Sequence, residues 1–325
     1  MSRRILRVAP IQRLLMLVCV GALVSSGPSA QTRASGSKNI PATESPAGEG
    51  FSSPNAVKSR PKAMSVLWPP KDIDAAVPAV APGVSCPLAE VMLEARQRAE
   101  DLVANLEKFT ATEVIDSSEV RKDGRPKQSV RQSFNYSAVV LRTHAGFPEV
   151  DESRNEMGRT RAPRTPITTA GLAVGMLIFH PYYANDFKVV CEGLGEWHDK
   201  PAWQLRFEQR SDKLPRFQSI HVDRGWFLPK FKGRAWLTGD HFQIAHMKFD
   251  LLETIPKIQL VTEHADIDYG PVDFANRNMQ LWLPESVDFF IDIGGHRFLH
   301  RHRLSNFLLF SVETNQEFRV LAEPN

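Results

Sequence analysis

From Phe109 onward the chain keeps a two-residue rhythm of apolar and polar side chains, and that rhythm decides the class of fold. Phe134, Tyr136, Ala138 and Val140 alternate with Asn135 and Ser137. Phe187, Val189 and Cys191 alternate with Lys188 and Glu192, and Trp203, Leu205 and Phe207 with Gln204, Arg206 and Glu208. The pattern returns in Ala245, Met247, Phe249 and Leu251, in Val261, Ala265, Ile267 and Tyr269, and in Val287, Phe289, Ile291 and Ile293. Successive side chains of a strand point to opposite faces, so these runs are strands with one face covered and the other wet. Asp123-Gly124, Asp199-Lys200-Pro201, Gly239-Asp240 and Gly294-Gly295 separate them as turns. The expected architecture is a large antiparallel meander.

Two segments break the rhythm. Leu88, Val91, Met92, Ala95, Ala99, Leu102, Val103 and Leu106 recur at steps of three and four, which predicts an amphipathic helix from Pro87 to about Lys108. Proline suits a first helical position, where its missing N–H would be unpaired anyway. Thr168 to Phe179 is apolar on every side and opens with threonines able to cap a helix. A helix without a polar face must be buried or face lipid. It is expected on the covered face of the sheet, with Gly171 and Gly175 letting it pack lightly. The basic stretch Arg159 to Arg164, flanked by Glu152 and Glu156, reads as a loop.

The N-terminus has the order of a secretory signal. Arg3, Arg4, Arg7 and Arg13 precede the apolar run Leu14 to Val24, and small residues follow to Ala30. That run is too short to span a bilayer as a helix, so residues 1–30 are expected to be removed in export to the periplasm of a Gram-negative cell, and the mature chain to have no transmembrane segment. Eight of the 23 prolines fall between Gln31 and Ser85, where only Phe51 and Trp68 are aromatic. Such a segment buries too little apolar surface to offset its ordering entropy, so residues 31–85 read as a disordered linker and residues 86–320 as the folded domain.

Charge and motifs exclude several functions. A net charge of +3 from 40 basic and 37 acidic side chains is too balanced for a dedicated nucleic-acid binder. There is no GxSxG elbow, no HExxH and no phosphate loop, and Gly193-Leu194-Gly195 lacks the third glycine of a dinucleotide turn. No cofactor is expected. His296, His300 and His302 share one face of a strand, and with His264 as a fourth ligand they offer a metal-dependent hydrolase as an alternative. Against it, Arg297, Arg301 and Arg303 occupy the other face of the strand, which then reads as basic and solvated. Cys86 and Cys191 are the thiols left after signal removal. In an exported chain they either pair, pinning the first helix to the sheet, or are two unrelated buried thiols.

An exported chain with this helix, then Phe109-Thr110-Ala111-Thr112, then a meander around a second apolar segment resembles the LolA/LolB-type carriers of outer-membrane lipoproteins. Gly233-Arg234-Ala235-Trp236-Leu237 with Gln243-Ile244 resembles one strand pair of that family. Tyr269-Gly270-Pro271-Val272 and Leu281-Trp282-Leu283-Pro284-Glu285 resemble its later strands. The resemblance implies a mainly β fold with helices: an incomplete antiparallel barrel of about eleven strands, its concave face covered by the two helices. It also implies binding rather than catalysis. The ligand would be a lipid or lipoprotein acyl chain in an apolar groove lined by Leu88, Met92, Leu102, Tyr136, Leu172, Met176, Met247, Phe249, Ile267 and Phe289. The alternative use of the same groove is as a sensor or scaffold for an envelope protein partner.

Overall fold

The computed structural model describes residue 68 and residues 70–142, 147–158, 171–222 and 225–310. The signal segment, the linker before residue 68 and the basic stretch at 159–164 lie outside the described residues. Helix α1 (Leu88–Asn105) leads into strands β1 (Lys108–Val120), β2 (Pro126–Arg142) and β3 (Pro148–Glu156). A 3-10 turn (Val174–Leu177) and the short helix α2 (Pro181–Ala184) follow. Then come β4 (Phe187–Trp197), β5 (Lys200–Gln209), β6 (Ile220–Val222), β7 (Gly225–Phe227), β8 (Phe231–Thr238), β9 (Ile244–Leu251), β10 (Leu260–Phe274), β11 (Met279–Ile293) and β12 (His296–Phe310).

Ten strands form one open antiparallel sheet in the order β3-β2-β1-β12-β11-β10-β9-β8-β5-β4, and β6 and β7 make a separate hairpin. The fold is thus mainly β and unclosed, with ten strands in the principal sheet where about eleven were expected. The runs that resemble the carrier family fall on β8, the start of β9, β10 and β11.

Register decides which side chains share a face. Ala265 pairs with Phe289 and Phe249, Ile267 with Val287 and Met247, and Ala235 with Met247 and Leu205. Facing residues of an antiparallel pair project the same way, so these side chains form one continuous inner face. Helix α1 lays Val91, Met92, Ala95 and Leu102 into the same apolar cluster. Its last turn closes with the Leu106 N–H donating to the Leu102 carbonyl at 2.8 Å, and the chain then runs directly into β1.

The second apolar segment is not the helix that its composition predicts. Among the described residues it contains one 3-10 turn, and α2 begins only at Pro181. Gly171 sits at φ +94°, outside helical space. Its N–H and that of Ala173 donate to the Glu152 carboxylate at 3.2 and 2.8 Å instead of joining a helix. The burial inferred from its composition is present, since every residue from Leu172 to Phe179 is buried. Its packing is close rather than light: a Cβ on Gly175 would lie 2.5 Å from the Tyr269 hydroxyl.

The linker ends earlier than composition implies. The Trp68 ring lies 5.8 Å from that of Phe290, tilted by 45°, and residues 70–83 run over the outer face of β4, β5, β8 and β9. Ile73 is buried there; its N–H donates to Asp250 at 2.7 Å and its carbonyl accepts from Arg234. Asp72 and Asp74 pair with Lys232, and Asp74 also with Arg206. Polar bonds do here what the sparse apolar burial of the segment does not. They also explain why Gln204, Arg234 and Asp250 are buried on a face expected to be wet.

Cys86 and Cys191 form a disulfide with Cα atoms 6.2 Å apart. The bridge ties the start of α1 to edge strand β4. It closes a span of 105 residues, and loss of such a constraint typically costs about 2–4 kcal/mol. Cys191→Ser is expected to lower unfolding free energy in urea by that amount, and a midpoint equal to that of the oxidised wild type would contradict it.

Candidate functional site

The inner face collects the residues expected to line a groove. Met92, Leu102, Tyr136, Leu172, Met176, Met247, Phe249, Ile267 and Phe289 belong to one buried apolar cluster, and Leu88 packs against its margin. They meet each other more than they enclose space. Phe249 contacts Phe289 at 6.2 Å between ring centroids and Phe231 at 5.3 Å. Two clefts open at the flanks of α1. A narrow cleft of about 30 Å³ opens between Ala95, Leu102, Met176, Ile244 and Trp282, with Arg98 at its edge. A wider cleft of about 240 Å³ opens between Leu88, Met92, Phe187 and Val189, with Arg96 and Arg210 at its edge. The Arg96 Nε is buried there without a hydrogen-bond partner.

A buried polar floor lies beside the apolar layer. Glu113 on β1, fully buried, accepts both Nε and an Nη of Arg154 and meets His302 Nδ1 at 2.7 Å. Arg154 stacks on the Tyr136 ring at 5.0 Å. Burial opposes ionisation of Glu113, but the bonds from His302 and Arg154 outweigh it and hold the carboxyl below its usual range. Glu152, two residues from Arg154, goes the other way: burial pushes it up against the backbone N–H groups it accepts. Glu263 on β10 is also buried, accepts from Gln218 at 3.1 Å, and is pushed up to about 7 by burial.

The segment from Gly171 to Ala184 covers this floor between the two sheet edges. At one end Glu152 of β3 holds its backbone. At the other, the Tyr183 hydroxyl donates to the Pro148 carbonyl at 2.8 Å, and Arg216 clamps Asp186 at 2.6 Å while stacking on Tyr182 at 4.0 Å.

The three β12 histidines do not meet at a common point of chemistry. His296 is exposed and lies 3.3 Å from Glu119. His300 is buried against the Ser117 hydroxyl at 2.8 Å, and burial pushes it down to about 3. His302 belongs to Glu113. His264 lies on the opposite face of the sheet, 2.6 Å from Asp250, so it cannot join them. The strand is not a basic solvated one either. Its arginines are the outer-facing set, with Arg297 on Asp292 and Arg301 and Arg303 on Asp288, while His300 and His302 point inward.

The sequence reading does not single out Glu113, Glu152, Arg154 or Glu263, the buried polar residues of this floor. Glu113 carried a signal, because it occupies the apolar phase of Phe109, Ala111, Glu113 and Ile115. A charge in the covered phase of a strand needs a buried partner. Glu152 and Arg154 carried none that could be used, since Pro148–Glu156 is too polar to be read as a strand by alternation.

No protein-family model matches the chain, and no curated protein does. Solved structures do. A LolA superfamily protein from Nitrosomonas europaea is similar over 68% of this chain and 94% of its own, at 9% identity and a TM-score of 0.34. An outer membrane lipoprotein-sorting protein domain from Vibrio parahaemolyticus is similar over 70% and 95%, at 8% identity and a TM-score of 0.38. A DUF1329 family protein from Desulfovibrio piger is similar over 69% and 94%, at 10% identity and a TM-score of 0.38.

Proposed function

We propose that the protein is a periplasmic binding protein for an amphiphilic ligand, a lipid or a lipidated chain, held between α1 and the inner face of the sheet. The observation that carries this reading is the single apolar layer beneath α1, which reaches the surface on two sides of the helix beside arginines. Arg96, which lines the wider cleft, suits an anionic head group there, with Leu88, Met92 and Phe187 beside it for the start of a chain.

Ligand pockets usually run to about 300–1,000 Å³, so clefts of about 30 and 240 Å³ admit the end of a chain and not its length. Deeper entry requires an element to move. Helix α1 is held at both ends, by the disulfide and by its run into β1. The cover from Gly171 to Ala184 is closely packed, and its backbone is fixed to β3 by the Glu152 side chain, the bond whose loss would free it. Each bond to the Glu152 carboxylate is worth about 1.5–3 kcal/mol, so weakening them should ease opening at least tenfold.

A fluorescent fatty-acid probe added to the full chain tests this. Glu152→Gln is expected to accelerate probe entry about tenfold, and Arg96→Gln to weaken probe affinity. The reading fails if the folded wild type shows no saturable binding, or if both variants bind at the wild-type rate and affinity.

A further inference from the structure

The outer face carries a second polar assembly that ligand binding does not use. His246 on β9 faces Asp268 of β10 on one side and Trp236 of β8 on the other. The Trp197 ring lies flat on the imidazole, 3.6 Å between centroids and 16° from parallel, and Trp236 closes in at 4.8 Å. His246 is only 1% exposed, whereas the Asp266 and Asp268 side chains are 32% and 40% exposed. The tryptophans therefore shield the ring and leave the carboxylates reachable from solvent.

Both ring nitrogens face a carboxylate, in different ways. Nδ1 is hydrogen-bonded to Asp268 Oδ1 at 2.8 Å, and Asp268 Oδ2 is steadied by the Ser286 hydroxyl at 2.9 Å. Nε2 lies 3.3 Å from Asp266 Oδ1 yet is buried with no hydrogen-bond partner. The other Asp266 oxygen is engaged by Lys248 at 2.9 Å, which leaves Oδ1 turned to the ring. In the tautomer that donates from Nδ1 to Asp268, the Nε2 lone pair faces Asp266 Oδ1. A cation between these two atoms would use both as ligands.

The spacing fits a metal ion. With bond lengths of about 2.0–2.2 Å to imidazole and carboxylate, donors 3.3 Å apart subtend about 105° at the ion, close to tetrahedral. Donor atoms of all three residues lie within 4.8 Å of one another, the only such group among the described residues. We propose that His246 Nε2 and Asp266 bind one divalent transition ion of the zinc class on the outer face of β9 and β10, with Asp268 orienting the ring and water completing the shell. A carboxylate that fixes a ligating histidine through its other nitrogen is the usual support for such an ion. An imidazole donor favours zinc, copper, nickel or cobalt over calcium or magnesium. None of the three residues belongs to the apolar layer under α1, so this site stands or falls apart from the lipid reading.

The test uses the full chain, stripped with chelator and titrated calorimetrically with Zn²⁺, and separately with Cu²⁺ while tryptophan fluorescence is read. One Zn²⁺ per chain is expected, and Cu²⁺ should quench emission because Trp197 lies against the liganding ring. Asp266→Asn is partly exposed and should fold; it is expected to weaken Zn²⁺ affinity at least tenfold, and Asp268→Asn, acting through ring orientation, by about 10–100-fold. His246→Gln should abolish binding, and His296→Gln, at the exposed β12 histidine, should leave it unchanged. Absence of saturable binding by the wild type would overturn the proposal. So would binding that survives both Asp266→Asn and His246→Gln, or binding lost in His296→Gln.

Discussion

Replacing Glu113 with alanine is expected to destabilise the protein by about 3–5 kcal/mol, the usual cost of removing one member of a buried ion pair. The carboxylate accepts two bonds from Arg154 and one contact from His302, and neither it nor the His302 ring is exposed. Its removal leaves both groups facing an apolar layer without the acceptor they share. The same group sets an acid limit. Its carboxyl titrates below the ordinary value of 4.5 in the folded protein, so its contribution is complete above that pH and is lost as pH falls through the folded value. Urea unfolding followed downward from pH 7 should show the gap between wild type and variant begin to narrow only below pH 4.5, the ordinary value. A loss under about 1 kcal/mol at pH 7 would mean that the pair barely offsets its own desolvation, as some buried pairs do.

Glu263→Gln should act in the opposite direction. The native carboxyl titrates at about 7 because burial penalises its charge, against an ordinary value of 4.5. The folded state therefore binds a proton that the unfolded chain has released, and stability falls as pH rises between those two values. At about 1.4 kcal/mol per unit, that amounts to about 3 kcal/mol by pH 8. Glutamine keeps a polar group beside the Gln218 amide and removes the titration. The variant is expected to be about 3 kcal/mol more stable than wild type at pH 8 and nearly equal at pH 4, where both side chains are neutral in the fold. Equal stability across the range would show that water reaches Glu263.

How much of this was legible varies with what each residue touches. The helix stripe needed only the spacing of Leu88 to Leu106, and α1 ends within three residues of the expected point. The inner face of the sheet needed only strand phase, and the ten residues expected to line a groove fall in or against one buried cluster. The second apolar segment was legible as buried and not as to its form. Burial follows from composition, while form depended on Glu152, a residue distant in sequence that takes the backbone N–H groups a helix would have used. Residues 70–83 show the same limit. Their composition forecast a free linker, and ion pairs to Arg206 and Lys232 hold them to the sheet.

The sequence by itself determined the periodicities: a two-residue repeat that must bury one sheet face and a three-to-four repeat that must bury one helix stripe. Those are local consequences of backbone geometry, and each window of the chain carries its own. The polar constellations were decided only by the tertiary structure. Glu113 meets His302 across 189 positions, and His246 meets Asp268 across 22. A charged or imidazole side chain has no periodic signature of its own. What it does depends on the strand that register sets beside it, and register is chosen by the sheet as a whole.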